Sequence, residues 1–189
     1  TFLHAKPYFS NNKISVIYNS VPDDWFVLKH SNLKLKNHIN VGIVANVTSK
    51  IKNHRFALEI AKITKDRFPE SKIKFKFFGT LPSKNDPYLL SLKQQISESK
   101  LSSMVSLEGR IEAAFIFSNL IDILFHPYSG EGFGRIYIEA MGKGIPVVAV
   151  SGGGVEEIIT NGINGFTIPE SNPELIVDSI INLINDKSL

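Results

Sequence analysis

Residues 121–150 read IDILFHPYSGEGFGRIYIEAMGKGIPVVAV, and the order of residue types in this stretch decides the fold. Ile121 to His126 is an apolar run, and Pro127 to Gly134 is a loop holding Gly130, Gly132 and Gly134. A helical pattern follows from about Arg135 to Lys143, and Pro146 to Val150 is apolar again. Strand, loop, helix, strand in that order is a βαβ unit, whose two strands run parallel. Both strands are almost continuously apolar rather than alternating, which suits central strands covered on both faces.

The same rhythm extends outward from this unit. Apolar runs at Val41 to Val47, Ile73 to Phe78, Val105 to Leu107 and Gly165 to Ile168 predict further strands, with helical patterns between most of them. Phe56, Ile60 and Ile63 recur at the spacing of one buried helical stripe. In the last helix, Asn172 suits the cap, Pro173 the first helical position, and Ile176, Ile180, Leu183 and Ile184 one face. Ile73-Lys74-Phe75-Lys76-Phe77 alternates, so one of its faces is expected to meet water. The reading is an α/β, Rossmann-like, doubly wound parallel sheet over residues 39–189, preceded by an interdomain segment, residues 1–38. Repeats of fixed period and low-complexity tracts are absent from the sequence.

Composition narrows the function classes. With 189 residues, 43% of them hydrophobic and 21% charged, the chain has the makings of an ordinary core rather than of a disordered segment. There is no cysteine, which excludes disulfides, thiolate zinc sites and a cysteine nucleophile. A net charge of +3 with dispersed lysines suits a phosphate-bearing ligand but is too weak for a nucleic-acid footprint. The apolar run Ile145 to Val150 is far short of a membrane span, and the opening residues carry no signal-peptide pattern. These features lead to an expected cytoplasmic location. The start at Thr1 leads to the expectation of a piece of a longer protein.

In a doubly wound sheet, ligands bind at the carboxyl ends of the strands. The glycines of the 127–134 loop let a backbone approach a ligand closely, and the helix after it offers unpaired amides and a positive dipole end suited to a pyrophosphate. Glu131 and Glu139 add acceptors matched to sugar or ribose hydroxyls. The plainer reading makes these glycines turn devices and Glu139 a solvated helix residue. The dinucleotide fingerprint fails because Arg135 stands where the third glycine belongs, and Gly152-Gly153-Gly154 fails likewise at Glu157. Gly142-Lys143 is followed by Gly144, so no Walker A motif is present. His126 reads as a packed or hydrogen-bonded structural residue rather than a general base. Tyr128 and Phe133 read as walls.

The segment Glu131-Gly132-Phe133-Gly134, Glu139-Ala140-Met141, Gly144, Pro146-Val147-Val148-Ala149 and Gly153-Gly154 resembles the signature of retaining glycosyltransferase family 4. The likeness continues through Glu157-Ile158-Ile159, Gly162 and Asn164-Gly165-Phe166, and the two glutamates match that family's paired-glutamate motif. Weaker similarity reaches back to Asn40, and Ile14-Ser15-Val16-Ile17-Tyr18-Asn19 resembles the segment that joins the two domains of these enzymes. The resemblance implies the C-terminal, donor-binding half of a GT-B architecture. It also implies transfer of a sugar, with retention, from a nucleotide diphosphate sugar to a glycan or lipid-linked acceptor, in cell-envelope or polysaccharide synthesis, without a metal or other cofactor. The acceptor and any membrane contact would come through an N-terminal domain, without which the chain is expected to turn over poorly.

By the same resemblance, Glu131 would accept hydroxyls of the transferred sugar, and Gly132, Phe133 and Gly134 would present amides to sugar and phosphate. Glu139 would hold the ribose, and Gly109, Arg110 and Ile111 would meet the base. Lys52, or Lys50 beside it, would neutralise the departing diphosphate, a role with a clear electrostatic rationale. One departure stands out: where many members carry an arginine at the end of the first strand, this chain has Asn46. Arg135, in place of the family's usual apolar residue, either restores part of that charge or is a surface arginine. The rival readings are an epimerase or phosphorylase on the same architecture, and a nucleotide-sugar-binding module without catalysis.

Overall fold

The computed structural model describes residues 17–26, 37–48 and 50–185. Six parallel strands form one sheet: β1 Ile39–Val44, β2 Ile73–Phe78, β3 Val105–Gly109, β4 Ile123–His126, β5 Val147–Val150 and β6 Phe166–Ile168. Their spatial order is β3-β2-β1-β4-β5-β6. The helices are α1 His54–Arg67, α2 Pro87–Glu98, the single turn α3 Ala113–Phe115, α4 Arg135–Gly142 and α5 Pro173–Asn185. The turn α3 runs on into a π turn at Ile116–Leu120. This is the doubly wound α/β sheet that the sequence leads one to expect.

Strand ends move where side chains or bends take over from the ladder. β1 stops at Val44 rather than Val47, yet the amides of Ala45 and Val47 still reach the carbonyls of Phe78 (2.8 Å) and Thr80 (3.0 Å) as the chain bends away. β4 starts at Ile123 rather than Ile121, because Asp122 meets Asn40 partly through its side chain: its carboxylate accepts the Asn40 amide at 2.9 Å.

The central strands alternate between two cores. Ile123 and Phe125 of β4, with Val148 and Val150 of β5, face a core shared with α1, α2 and α5. Leu124, Val147 and Ala149 face the opposite core, shared with Ile116, Phe117, Tyr137 and Ala140. Every residue of β4 and β5 is buried, which is why both segments are apolar apart from His126 at the end of β4. Lys74 and Lys76 of β2 are only half-buried, in keeping with their alternating pattern.

The helices form where caps and stripes direct. α5 begins with Pro173, its Leu175 amide reaches the Asn172 side chain at 3.4 Å, and Ile176, Ile180 and Leu183 are buried. α2, also opened by a proline, is capped by Asp86, whose carboxylate accepts the Tyr88 and Leu89 amides. In α1, Phe56 and Ile60 are buried and Ile63 packs against them.

Most of the interdomain segment expected over residues 1–38 lies outside the described residues. Of its described residues, 17–26 pack along α4. The Trp25 indole donates to the Glu139 carbonyl at 2.7 Å, and the Lys143 ammonium stands 5.1 Å from the Trp25 ring. The Tyr18 ring meets Phe133 at 5.5 Å. Among the described residues, no helix is long and apolar enough to cross a membrane.

Candidate functional site

The strand order reverses between β1 and β4, so the loops after these strands part to opposite faces and leave a crevice at their carboxyl ends. A cavity of about 390 Å³ opens there. Its walls bring together Asn46 and Lys52 from the loop after β1, Arg110 and Ile111 from after β3, and His126 at the end of β4. Glu131, Gly134 and Arg135 close the other side. Of the remaining residues singled out from the sequence, Gly109, Gly132, Phe133 and Glu139 stand back from the wall. The Gly109 carbonyl accepts the Gly79 amide at 2.9 Å, and Phe133 turns to Tyr18.

At the mouth, the Lys52 ammonium donates to Glu131 Oε2 at 2.6 Å and also lies 4.7 Å from the centre of the Tyr128 ring. The two side chains are 29% and 24% exposed, so this pair is screened less than a surface ion pair. His126 Nε2 faces the same oxygen at 3.5 Å, the outer limit of hydrogen-bond reach, and Nδ1 of this buried imidazole makes no protein hydrogen bond. His126, Lys52 and their charge hold the Glu131 carboxyl down to about 2, against burial, which pulls it up. Glu131 is therefore a permanent anion and acceptor at neutral pH. His126 is packed, as expected, its edge contacts being Tyr137 at 5.2 Å and Tyr128 at 6.3 Å.

The glycine loop is held by contacts that only glycine permits. Gly134 caps α4 in the left-handed region at φ 77°, and a Cβ there would collide with the Tyr137 ring beneath it. Arg135 and Ile136 carry amides of the first helical turn, which have no intrahelical acceptors, and both residues line the cavity. Gly152-Gly153-Gly154 supports this loop from behind: the Gly154 amide donates to the Glu131 carbonyl at 2.7 Å, and a Cβ on Gly154 would land on the Gly132 carbonyl oxygen.

Asn46 accepts the Thr80 amide at 2.9 Å, so its side chain ties the loop after β1 to the loop after β2. Arg135 and Glu139 form an i,i+4 pair at 3.1 Å in which the arginine is 62% and the glutamate 13% exposed. Burial pushes the Glu139 carboxyl above the usual range, and Arg135 partly offsets this. Two further residues shape the site. Asn53, in the left-handed region at φ 53°, donates to the Pro127 carbonyl (3.3 Å) and to Glu170 (2.8 Å), fastening the loops after β1, β4 and β6 together. Tyr137 lies beneath Gly134 with its hydroxyl buried and unpartnered. In the sequence Tyr137 is one apolar-face residue of a helix, and only the asparagine's place before a helix hinted at Asn53.

The fold recurs in known proteins. Over residues 38–186 the chain matches the family described as Glycosyl transferases group 1. It is 26% identical over 188 residues to the capsular polysaccharide biosynthesis glycosyltransferase CapM of Staphylococcus aureus, covering 94% of this chain and 48% of that one. The structure of Anabaena Alr3699/HepE in complex with UDP superposes with a TM-score of 0.77 at 24% identity, over 96% of this chain and 51% of that one. The C-terminal domain of a glycosyl transferase group 1 family protein (LpcC) from Francisella tularensis superposes with a TM-score of 0.73 at 22% identity, over 89% of this chain and 90% of that one. The chain thus spans less than half the length of CapM, and its sheet and helices are those of one domain of a GT-B glycosyltransferase. With the match running from the residue before β1 to the end of α5, the chain belongs to the glycosyl transferases group 1 family.

Proposed function

We propose that this chain is the donor-binding part of a retaining glycosyltransferase of family 4, acting in the cytoplasm on a nucleotide diphosphate sugar and passing its sugar to a glycan or lipid-linked acceptor. The observation that carries the reading is the Lys52–Glu131 pair, set at the mouth of a cavity at the switch point of the sheet. It places a cation and an ionised carboxylate side by side, which is what a donor with an anionic diphosphate and a hydroxyl-rich sugar requires. Lys52 would turn from Glu131 to the diphosphate, leaving Glu131 to accept sugar hydroxyls.

When the anomeric bond breaks, charge builds on the diphosphate. Lys52, the first-turn amides of α4 and Arg135 would stabilise it in a site already organised before reaction, with no call for a metal. Arg135 would stand in for the cation that Asn46 does not supply. Glu139, raised in pKa by burial, would gain by exchanging part of its desolvation for ribose hydroxyls. Arg110 and Ile111, on the far wall, would border the base.

Calorimetric titration of this chain with UDP, GDP and ADP tests the reading. One nucleotide is expected to bind in preference, and Lys52→Ala and Glu139→Ala are each expected to weaken it about ten-fold, the scale of one lost charge-assisted hydrogen bond. Arg135→Ala should weaken it as well, and unchanged affinity would confine Arg135 to its pair with Glu139. Absence of binding by any of the three would remove the donor site from this chain.

A further inference from the structure

The buried His126 ring turns Nε2 toward Glu131 Oε2 at 3.5 Å, the outer limit of hydrogen-bond reach, and its Nδ1 makes no protein hydrogen bond. Its ring is fixed. Tyr137 stands edge-on to it at 88° and Tyr128 at 64°, so it cannot turn away from the cavity it lines. The nearest acceptor to Nε2 is Glu131 Oε2 at 3.5 Å, the same oxygen that Lys52 takes at 2.6 Å. Two donors of different character thus share one carboxylate oxygen. Lys52 sits on a short loop turn with a flexible stem, whereas His126 is locked at a strand end.

We infer that His126 is a positioning residue for Glu131, taking over as the donor to the carboxylate when Lys52 turns to the diphosphate. The inference rests on the donor-binding reading above, since it is donor binding that draws the lysine off. A half-buried carboxylate left without its cation is costly. A small rotation of the Glu131 side chain toward Nε2 shortens this contact and keeps the carboxylate ionised. The donor therefore meets a Glu131 held from beneath, with its other oxygen presented to the sugar.

Two measurements on this chain test the exchange. Long-range ¹H–¹⁵N spectra of the histidine rings, assigned by the signal missing from His126→Gln, compare wild type with Lys52→Met in the absence of nucleotide. Removing the lysine is expected to bring out a slowly exchanging Nε2–H on His126. Identical His126 signals in the two proteins would overturn the inference. Calorimetry with UDP, GDP and ADP then compares His126→Phe, which keeps the packing but has no donor, with His126→Gln, which places an N–H near Nε2. About ten-fold weaker binding by the phenylalanine variant and near wild-type binding by the glutamine variant are expected. Equal, undiminished binding by the phenylalanine variant overturns the inference while leaving the donor site in place. A wild type that binds none of the three nucleotides overturns the donor-binding reading, and the exchange of Lys52 falls with it.

Discussion

The Glu131 carboxyl titrates at about 2 rather than 4.5 because an imidazole and an ammonium both face it in the fold and neither does in the unfolded chain. Between those two pH values the unfolded chain binds more protons, so stability rises with pH across that window. The contribution is complete above about pH 4.5 and is lost as the pH falls through 2. Glu131→Gln is therefore expected to flatten the acid limb of a stability-against-pH curve measured by urea unfolding; curves that run parallel to wild type would show that the pair adds nothing. Glu139 works in the opposite sense. Its raised pKa means that the fold disfavours its carboxylate, so its contribution to stability falls as the pH rises through the carboxylate range. A residue kept at such a position against stability is consistent with the ligand role proposed for it.

At the scale of elements, the site depends on how closely two loops approach. The 152–154 loop reaches the 127–134 loop backbone to backbone, with Gly154 against the Gly132 carbonyl. Gly154→Ala would force those chains apart and is expected to cost about 2 kcal/mol or more, read as a lowered urea midpoint. Gly132→Ala meets nothing within 4 Å and should leave the midpoint within about 0.5 kcal/mol of wild type, so that similar losses in the two variants would contradict this packing. The helix α4 is served from both ends: Gly134 sets its direction over Tyr137, and the Trp25 indole bonds the Glu139 carbonyl. The helix that carries the glutamate and arginine of the site is thus anchored by a segment far away in sequence.

For the whole molecule, that contact ties residues 17–26 to α4. Trp25 packs against the second core and is the single tryptophan of the chain. Trp25→Ala is expected to lower stability by about 2 kcal/mol, less than for a fully buried tryptophan because this one is only partly buried. Circular dichroism is the suitable probe, since the substitution removes the fluorophore. A stability equal to wild type would mean that the segment rests on the domain without holding it.

What the sequence by itself determined is the class of fold. The apolar runs at 121–126 and 146–150 suit strands covered on both faces, and the glycines between them suit a tight passage from strand to helix or the close approach of a ligand. Local pattern carries such information because burial on two faces and positive φ each restrict which residues can stand at a position. Tertiary structure alone decided what those residues meet. Nothing at Lys52 announces a partner 79 positions away in Glu131, and nothing at Asn53 announces Pro127 and Glu170. Nor did the run ending at His126 reveal that its buried ring would face Glu131, because what a buried nitrogen meets depends on how the loops fold back. Those contacts arise when the reversal of strand order brings the loops after β1 and β4 to one crevice, and no pattern within a single segment encodes that meeting.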